Sequence, residues 1–343
     1  MPANFLNYSS CPICGSNSYK LIEPRTQISD EIKSLVDIWR KMFLPETPDY
    51  MLKDHAYFTH SYDADLFACN DCGHITRNPR LSPDQTFQEY SKDIYHPEWL
   101  IANYEPYYLS FKDETPSITE RLKLGSKILE IGSHVGGFMR LATELGFDAT
   151  GIDIGECVCD FAKNKGFNVF SRPLEEMEFS DGSFDAVFIW LCFEMIPNPE
   201  KLLNEIYRIL RPGGWVFISV PNGEFIKLVQ PLLRSRVKFI KDWIRKALAF
   251  GIILGFTFQF GYTTKSIGKI LRKTRFKVAE AQNQFYVPVT PYDYVPQATI
   301  QEKQKSLTFI YVFSQLVYYL SFRRRVLGPW MKIIAQKDMG EKS

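Results

Sequence analysis

The sequence lacks any apolar stretch long enough to cross a membrane, and it lacks a strong excess of either charge. Its longest apolar run, residues 247–260, includes Thr257 and Gln259 and is shorter than the roughly 20 residues that a spanning helix needs. No basic segment followed by an apolar one opens the chain, so we expect no secretory signal and a cytoplasmic protein. Internal repeats and low-complexity tracts are absent as well. The composition, 45% hydrophobic and 23% charged over 343 residues, excludes collagens, coiled coils and long disordered chains.

The formal net charge of +2 hides an uneven distribution along the chain. Residues 1–223 carry 20 Lys and Arg against 32 Asp and Glu, whereas residues 224–343 carry 21 against 7. A basic half of this kind either faces an anionic partner or is attracted to the acidic half across an internal interface. Both interpretations stay open at this point.

Four of the seven cysteines form two Cys-x-x-Cys-Gly motifs, at residues 11–15 and 69–73. Two residues between the thiols let both sulfurs face one point, and the glycine relaxes the backbone behind them. In a chain without a secretory signal, paired motifs favour a metal over disulfides. We therefore predict a closed, structural Zn²⁺ site with the ligands Cys11, Cys14, Cys69 and Cys72. The alternatives are a redox pair or a coincidental spacing. Cys157 and Cys159 are expected in the core.

Beyond residue 126 the sequence alternates between short apolar strands and amphipathic helices. The predicted strands are residues 127–131, 149–153, 168–170, 184–191 and 215–220. The helix predicted at residues 199–210 has apolar side chains at helical spacing and ends at an Arg-Pro-Gly-Gly segment. Repeated units of this length predict an α/β fold with a Rossmann-like, doubly wound parallel sheet that binds its ligand at the carboxyl ends of the strands.

A glycine-rich turn after the first of these strands indicates what that ligand is. The turn runs from Gly132 to Gly137, and Asp153 follows about twenty residues later, a combination typical of a site for a nucleotide ribose. The spacing Gly-x-x-x-Gly-Gly differs from the Gly-x-Gly-x-x-Gly of NAD sites and counts against NAD.

Four segments of the sequence, in their order along the chain, resemble the class I methyltransferases that use S-adenosylmethionine. They are residues 128–138, 151–154, 179–187 and 207–214. The resemblance covers roughly residues 126–222. It implies the methyltransferase fold, S-adenosylmethionine as the cofactor and methyl transfer as the reaction.

The same resemblance implies roles for single residues. Glu130 and Gly132 are expected to face the methionine end of the cofactor, and Gly136 lets the backbone pass it closely. Asp153 is expected to bind the ribose hydroxyls. The other expected cofactor contacts are Ser133, His134, Ile154, Leu174 and Trp190. His134 stands where many relatives have glycine, so its side chain either points away from the cofactor or touches it.

Relatives often carry a Glu-His pair after the fourth strand, where this sequence has Glu194-Met195. Glu194 is therefore a candidate general base, needed only if the acceptor must lose a proton. Its alternative role is to close the N-terminus of the following helix. Tyr95 and His96, in the segment between the two modules, are the other catalytic candidates.

The N-terminal module, with residues 78–83 after its second cysteine motif, is similar to the zinc-binding domain fused to methyltransferases of sugar and surface-glycan pathways. That similarity implies a sugar, a nucleotide-sugar or a glycan intermediate as the acceptor. The alternatives are O-methylation of a lipid-like or quinone-type acceptor at a membrane surface, and a cofactor-binding pseudoenzyme. Nucleic acid is disfavoured as a partner because the half with the cysteine motifs is acidic.

Two C-terminal segments have no counterpart in the family pattern. They are residues 224–260 and about 284–330. Each combines apolar residues with cations, which suits a membrane surface, a lid over an anionic substrate, or packing and homo-oligomerisation only. The predicted domains are a zinc-binding module at 1–90, a helical linker at 91–125, a methyltransferase domain at 126–283 with the insertion 224–260, and a helical cap with the last strand at 284–343.

Overall fold

The computed structural model of the protein describes residues 5–52, 64–91, 95–235, 258–284 and 292–339, and the single positions 237, 239 and 244. The chain folds into two compact units, each assembled from three separate stretches. Unit 1 consists of Met1–Ser82, Val220–Lys269 and Ala281–Met331. Unit 2 consists of Pro83–Ser219, Ile270–Glu280 and Lys332–Ser343.

The strands and α-helices are numbered along the chain. The strands are β1 (Phe5–Leu6), β2 (Tyr19–Glu23), β3 (Asp65–Cys69), β4 (Ile75–Asn78), β5 (Arg80–Leu81), β6 (Lys127–Ile131), β7 (Asp148–Asp153), β8 (Val169–Ser171), β9 (Phe184–Trp190), β10 (Leu210–Pro221), β11 (Phe260–Gly261), β12 (Phe276–Gln284) and β13 (Trp330–Lys337). The helices are α1 (Arg25–Met42), α2 (Pro83–Ser91), α3 (Pro97–Phe111), α4 (Thr115–Thr119), α5 (Gly137–Glu144), α6 (Glu156–Asn164), α7 (Pro199–Ile209), α8 (Gly223–Leu233), α9 (Thr264–Lys273) and α10 (Gln297–Leu320).

Unit 2 is organised around a seven-stranded sheet with the strand order β12-β13-β10-β9-β6-β7-β8. The neighbours from β10 to β8 are all parallel. Strand order reverses between β6 and β9, and this switch point is where doubly wound sheets bind ligands. The core beside it contains Ile128, Phe138, Phe188 and Phe217, all at most 1% exposed. The predicted Rossmann-like α/β fold is confirmed.

The predicted elements of unit 2 lie close to the observed ones, and β6 has the predicted bounds. Strand β10 is the main exception, since it begins at Leu210 instead of residue 215. Leu210 already pairs with Phe184, and an irregular register between Leu210 and Trp215 accommodates the Arg-Pro-Gly-Gly segment inside the strand. That segment therefore bends the strand and does not precede it.

Unit 1 contains a four-stranded sheet with the order β11-β4-β3-β2, antiparallel throughout, and the short antiparallel pair β1-β5. Helix α8 supplies Phe225 and Ile226 to the same buried cluster as Leu66 and Ile75 of β3 and β4. The structure thus divides the chain differently from the predicted domains. Residues 220–269 group with the N-terminal module because β11 pairs with β4 and because α8 packs into this core.

The two C-terminal segments are described only in part. Residues 245–257, which hold most of the predicted apolar run, lie outside the described residues. The uncharged stretch from residue 306 onward forms the second half of α10, in unit 1. Among the helices that the structure describes, none combines the length and apolar character of a membrane span.

Candidate functional site

The glycine-rich turn after β6 is pinned to the end of β7. The backbone N–H groups of Gly132 and Ser133 both donate to the carbonyl oxygen of Ile152, at 2.8 and 3.1 Å. Gly132 has a φ of +79°, and a Cβ added there would lie 2.7 Å from Cys192 Sγ. Both the backbone angle and the lack of space require glycine at this position.

Asp153, at the end of β7, accepts hydrogen bonds from the turn after β6 and from the turn after its own strand. Its Oδ2 accepts a hydrogen bond from the backbone N–H of His134, and its Oδ1 accepts one from the backbone N–H of Gly155, both at 2.9 Å. A carboxylate oxygen has two acceptor positions, so each oxygen keeps one for a ligand. Ile154, the next residue, is half-buried.

Glu130 lies on β6 between Gly151 of β7 and Phe188 of β9, at the switch point. Its side chain is buried, and Oε2 has no hydrogen-bond partner in the described part of the chain. Burial raises the pKa of the Glu130 carboxyl well above its usual value, and the nearby charge of Asp153 raises it further. A buried carboxyl in this state fits a ligand that brings hydrogen-bond donors or positive charge.

Further buried polar atoms at the same ends of β6 and β9 lack partners among the described residues. They are Ser133 Oγ, Trp190 Nε1 and both carboxylate oxygens of Glu194. The indole of Trp190 packs in the core beside Phe138 and Phe188, with ring centroids 5.4 and 5.7 Å away. Such atoms are rarely left unsatisfied in proteins, and their concentration at one edge of the sheet indicates a site for a polar ligand.

Glu194 lies in a short 3₁₀ turn, Phe193–Met195, and is fully buried. Burial raises the pKa of its carboxyl to about 8. Its alternative role, closing the N-terminus of α7, stays a prediction: Asn198 occupies the cap position without a side-chain hydrogen bond, and neither carboxylate oxygen of Glu194 has a partner among the described residues. Glu194 is thus a buried acid whose protonation changes near neutral pH.

His134 adopts a φ of +46° and turns its ring toward an aromatic cluster. The ring centroids of Tyr95, Trp99 and Tyr107 lie 5.6, 5.7 and 4.8 Å from that of His134. Tyr95 and Trp99 are stacked on each other with centroids 4.3 Å apart. Trp99 and Tyr107 were not among the predicted site residues, although both lie on α3, which begins directly after Tyr95 and His96.

The two other catalytic candidates are placed differently from Glu194. His96 is exposed and caps α3, where its Nδ1 accepts a hydrogen bond from the backbone N–H of Glu98 at 3.3 Å. This contact gives His96 a structural task. Tyr95 is buried in the aromatic cluster. Leu174, expected to contact the cofactor, is buried in the turn Leu174–Glu176.

The four predicted metal ligands meet in unit 1. Their Sγ atoms all lie within 4.8 Å of one another, and the pairs Cys11–Cys72 and Cys14–Cys69 are 3.6 and 3.5 Å apart. Thiolates bound tetrahedrally at about 2.3 Å from a zinc ion are about 3.8 Å from each other, so the spacing fits this metal. All seven cysteines are free thiols. Cys159 is buried as expected, whereas Cys157, also expected in the core, is only partly buried.

Comparison with known proteins agrees with these features. A family model described as a methyltransferase domain matches residues 103–281, just over half of the chain. Phosphoethanolamine N-methyltransferase 2 of Caenorhabditis elegans is 33% identical over 144 residues, which cover 38% of this chain and 33% of that protein. A ubiquinone biosynthesis O-methyltransferase of Pseudomonas aeruginosa is 32% identical over 113 residues, covering 31% of this chain and 49% of that protein.

The chain therefore spans about a third to a half of the length of these curated relatives. Among solved structures, a SAM-dependent methyltransferase from Archaeoglobus fulgidus aligns with a TM-score of 0.44 and 18% identity, over 71% of this chain and all of that chain.

Proposed function

Because the chain belongs to the family of methyltransferase domains, we propose that it transfers the methyl group of S-adenosylmethionine to a small acceptor molecule. The observation that carries this proposal is the group of unsatisfied buried polar atoms at the switch point, next to a carboxylate that ends β7. Burying the carboxyls of Glu130 and Glu194 without partners costs free energy, and a ligand with donors or positive charge at this edge would offset that cost.

The residues at this edge fit S-adenosylmethionine. Asp153 offers acceptor positions for the ribose hydroxyls, and Glu130 offers a carboxyl to the amino-acid end. Ile154 and Leu174 provide apolar surface for the adenine. When bound, S-adenosylmethionine supplies a methyl group activated by its positively charged sulfur.

The remaining work falls to the chain's own side chains. Methyl transfer depends mainly on holding the acceptor in line and on keeping water out, and the buried setting of Trp190 and Glu194 serves both. Once deprotonated, the Glu194 carboxylate can accept the proton of an acceptor hydroxyl. We propose Glu194 as the general base.

We further propose that the acceptor is a sugar, a nucleotide-sugar or a glycan intermediate. The support is the N-terminal module, whose two cysteine motifs form one cluster and whose sequence is similar to the zinc-binding domain fused to methyltransferases of sugar and surface-glycan pathways. A lipid-like or quinone-type acceptor is the second candidate. The exposed apolar side chains on α10 favour it, and so does the likeness to a ubiquinone biosynthesis O-methyltransferase.

The cysteine cluster is proposed to hold one structural Zn²⁺ ion. Four thiols, three of them buried, form a closed donor set of the kind that zinc prefers. No ligand position is left for a substrate in such a set, so the ion would stabilise the sheet of unit 1 and take no part in methyl transfer.

A methyl-transfer assay with radiolabelled S-adenosylmethionine tests the function. Sugar nucleotides, quinol-containing lipid extracts and RNA are offered separately to the zinc-replete protein. The proposal predicts label in the sugar fraction and its loss in the Glu194→Gln variant. Label in the lipid fraction alone would favour the second candidate, and label in RNA alone would reject both. Cofactor binding without any transfer would favour the pseudoenzyme.

A further inference from the structure

The second half of α10 exposes a continuous apolar stripe, here called the apolar face of α10. It consists of Phe309, Val312, Phe313, Leu316, Tyr319 and Leu320. These side chains are between 55% and 72% exposed. At 3.6 residues per turn, the six positions fall within an arc of about 120° and extend over about 17 Å of helix. Single exposed apolar residues are common, but a contiguous stripe of large ones marks an interaction surface.

The opposite side of the same helix is already occupied. Leu307, Ser314 and Tyr318 are buried, and the carbonyl oxygen of Ser314 accepts a hydrogen bond from Asn283 Nδ2 at 3.0 Å. The orientation of α10 within unit 1 is therefore fixed by its packed side. Rotation about the helix axis cannot hide the apolar face.

The helix ends in a turn that keeps another large apolar side chain outside. Phe322 is 86% exposed and has a φ of +53°, a region in which glycine is preferred. The turn is closed by the Arg323 N–H, which donates to the carbonyl oxygen of Tyr318 at 2.8 Å. Neither backbone preference nor packing explains a phenylalanine here. Its ring adds a large apolar group to the surface at the end of the helix.

Three cations follow at once. Arg323, Arg324 and Arg325 are exposed, and the structure shows no ion pair between any of them and another described residue. Residues 224–343 carry 21 Lys and Arg against 7 Asp and Glu, so the surrounding sequence does not neutralise them. A partner of this surface must therefore be apolar beside the helix and anionic at its C-terminal end.

We propose that the apolar face of α10 and Arg323–Arg325 bind the surface of a bilayer that contains anionic lipids. The apolar side chains enter the boundary between headgroups and acyl chains, and the arginines contact lipid phosphates. The helix lies along the surface, since none of the described helices can span the membrane. The same face of a second copy of the chain offers no anionic group to the arginines.

Vesicle flotation of the zinc-replete protein, without cofactor or acceptor, tests the proposal. We expect binding to vesicles of phosphatidylcholine with phosphatidylglycerol, weakening as salt is added, and little binding to phosphatidylcholine alone. The double variant Phe313→Ser/Leu316→Ser should bind at least about tenfold more weakly. The control Ile101→Ser/Leu124→Ser, which removes two exposed apolar side chains from unit 2, should bind like the wild type.

Replacing all three arginines by glutamine is expected to weaken binding roughly a hundredfold at low salt. Equal binding by the wild type and the Phe313/Leu316 variant would overturn the proposal, and so would failure of the wild type to bind anionic vesicles. A wild-type dimer that the double variant dissociates, without vesicle binding, would assign the face to self-association instead. Methyl transfer is not measured, so this result and the test of the proposed function stand independently.

Discussion

At the scale of single residues, Glu194 has an environment that should be visible in kinetics. Its buried carboxyl has a pKa of about 8 and acts as a base only when deprotonated. The rate of transfer to a hydroxyl acceptor should therefore rise with pH up to about 8 and then level off. Glu194→Gln should lower kcat by roughly 10²–10⁴-fold, and residual activity should lose this pH dependence. Unchanged kcat in the variant would exclude the general-base role.

The raised pKa of the Glu194 carboxyl also predicts an effect on the stability of the protein. A carboxyl whose pKa is higher in the folded than in the unfolded state releases protons on unfolding, so its contribution favours unfolding as pH rises from about 4.5 to about 8. Glu194→Gln removes this contribution. The variant should gain stability relative to the wild type, by a few kcal/mol, between pH 5 and pH 8.5. Urea unfolding at both pH values measures the difference; a constant difference would contradict the assigned environment.

Replacing Gly132 tests whether the tight turn after β6 requires glycine. A methyl group there would meet Cys192 Sγ, and the φ of +79° is unfavourable for alanine. We expect Gly132→Ala to lower the free energy of unfolding by about 1–3 kcal/mol and to weaken cofactor binding. Gly166→Ala is the matched control, because its φ is also positive but nothing lies within 4 Å of the added Cβ. It should show only the backbone effect.

The sequence located many of these residues because their chemistry is local. A strand end, a glycine turn and an acid twenty residues later place Gly132 and Asp153 together in any sheet of this type. The aromatic cluster around His134 was missed because it forms only when α3 packs beside α5, where a Cβ on Gly137 would meet the backbone of Tyr108 at 2.8 Å. Such packing depends on tertiary structure.

At the scale of elements, the cysteine motifs join β2 and β3, where Tyr19 pairs with Cys69. Without a bound Zn²⁺ ion, only the pairing and packing of short strands would stabilise this sheet. We therefore expect a chelator to lower the melting temperature of the protein markedly. Cys69→Ser should abolish metal retention, whereas Cys157→Ser, a change at a free thiol outside the cluster, should not. Metal analysis should give one zinc per wild-type chain. A chain without zinc but with full stability would reject the site.

Comparing β6 with α10 shows which features of an element a sequence pattern can predict. The bounds of β6 follow from one apolar run between polar residues. Helix α10 has apolar residues on its packed and its exposed sides alike, so hydrophobic periodicity gives no indication of which side is buried. Its packed side is defined by contacts such as the hydrogen bond between Asn283 and Ser314, which lie 31 positions apart.

At the scale of the whole molecule, the chain enters unit 1 three times. The pairing of Phe260 with Thr76 joins strands separated by more than 180 residues, and no local pattern predicts a contact at that distance. The fold class could therefore be predicted from the sequence, whereas the pairing of β11 with β4 could not.

Helix α8 provides a test of this grouping. Ile226 is 2% exposed and belongs to the core of unit 1. Ile226→Ala should lower the free energy of unfolding by about 2–5 kcal/mol and should speed the loss of zinc to a chelator. Leu228→Ala, at a position that is 52% exposed, should do neither. Destabilisation by Ile226→Ala without faster zinc loss would argue against a shared core.

The carboxyl ends of β6, β7 and β9 are proposed to form a site for S-adenosylmethionine with Asp153 on its ribose. Titration calorimetry with S-adenosylmethionine and its demethylated product measures this directly. The wild type and Asp148→Asn, an exposed change on the same strand, should bind both compounds, and Asp153→Asn should bind them at least about tenfold more weakly because it loses a charged acceptor. No affinity in the wild type, or equal affinity in the Asp153 variant, would contradict the proposed site.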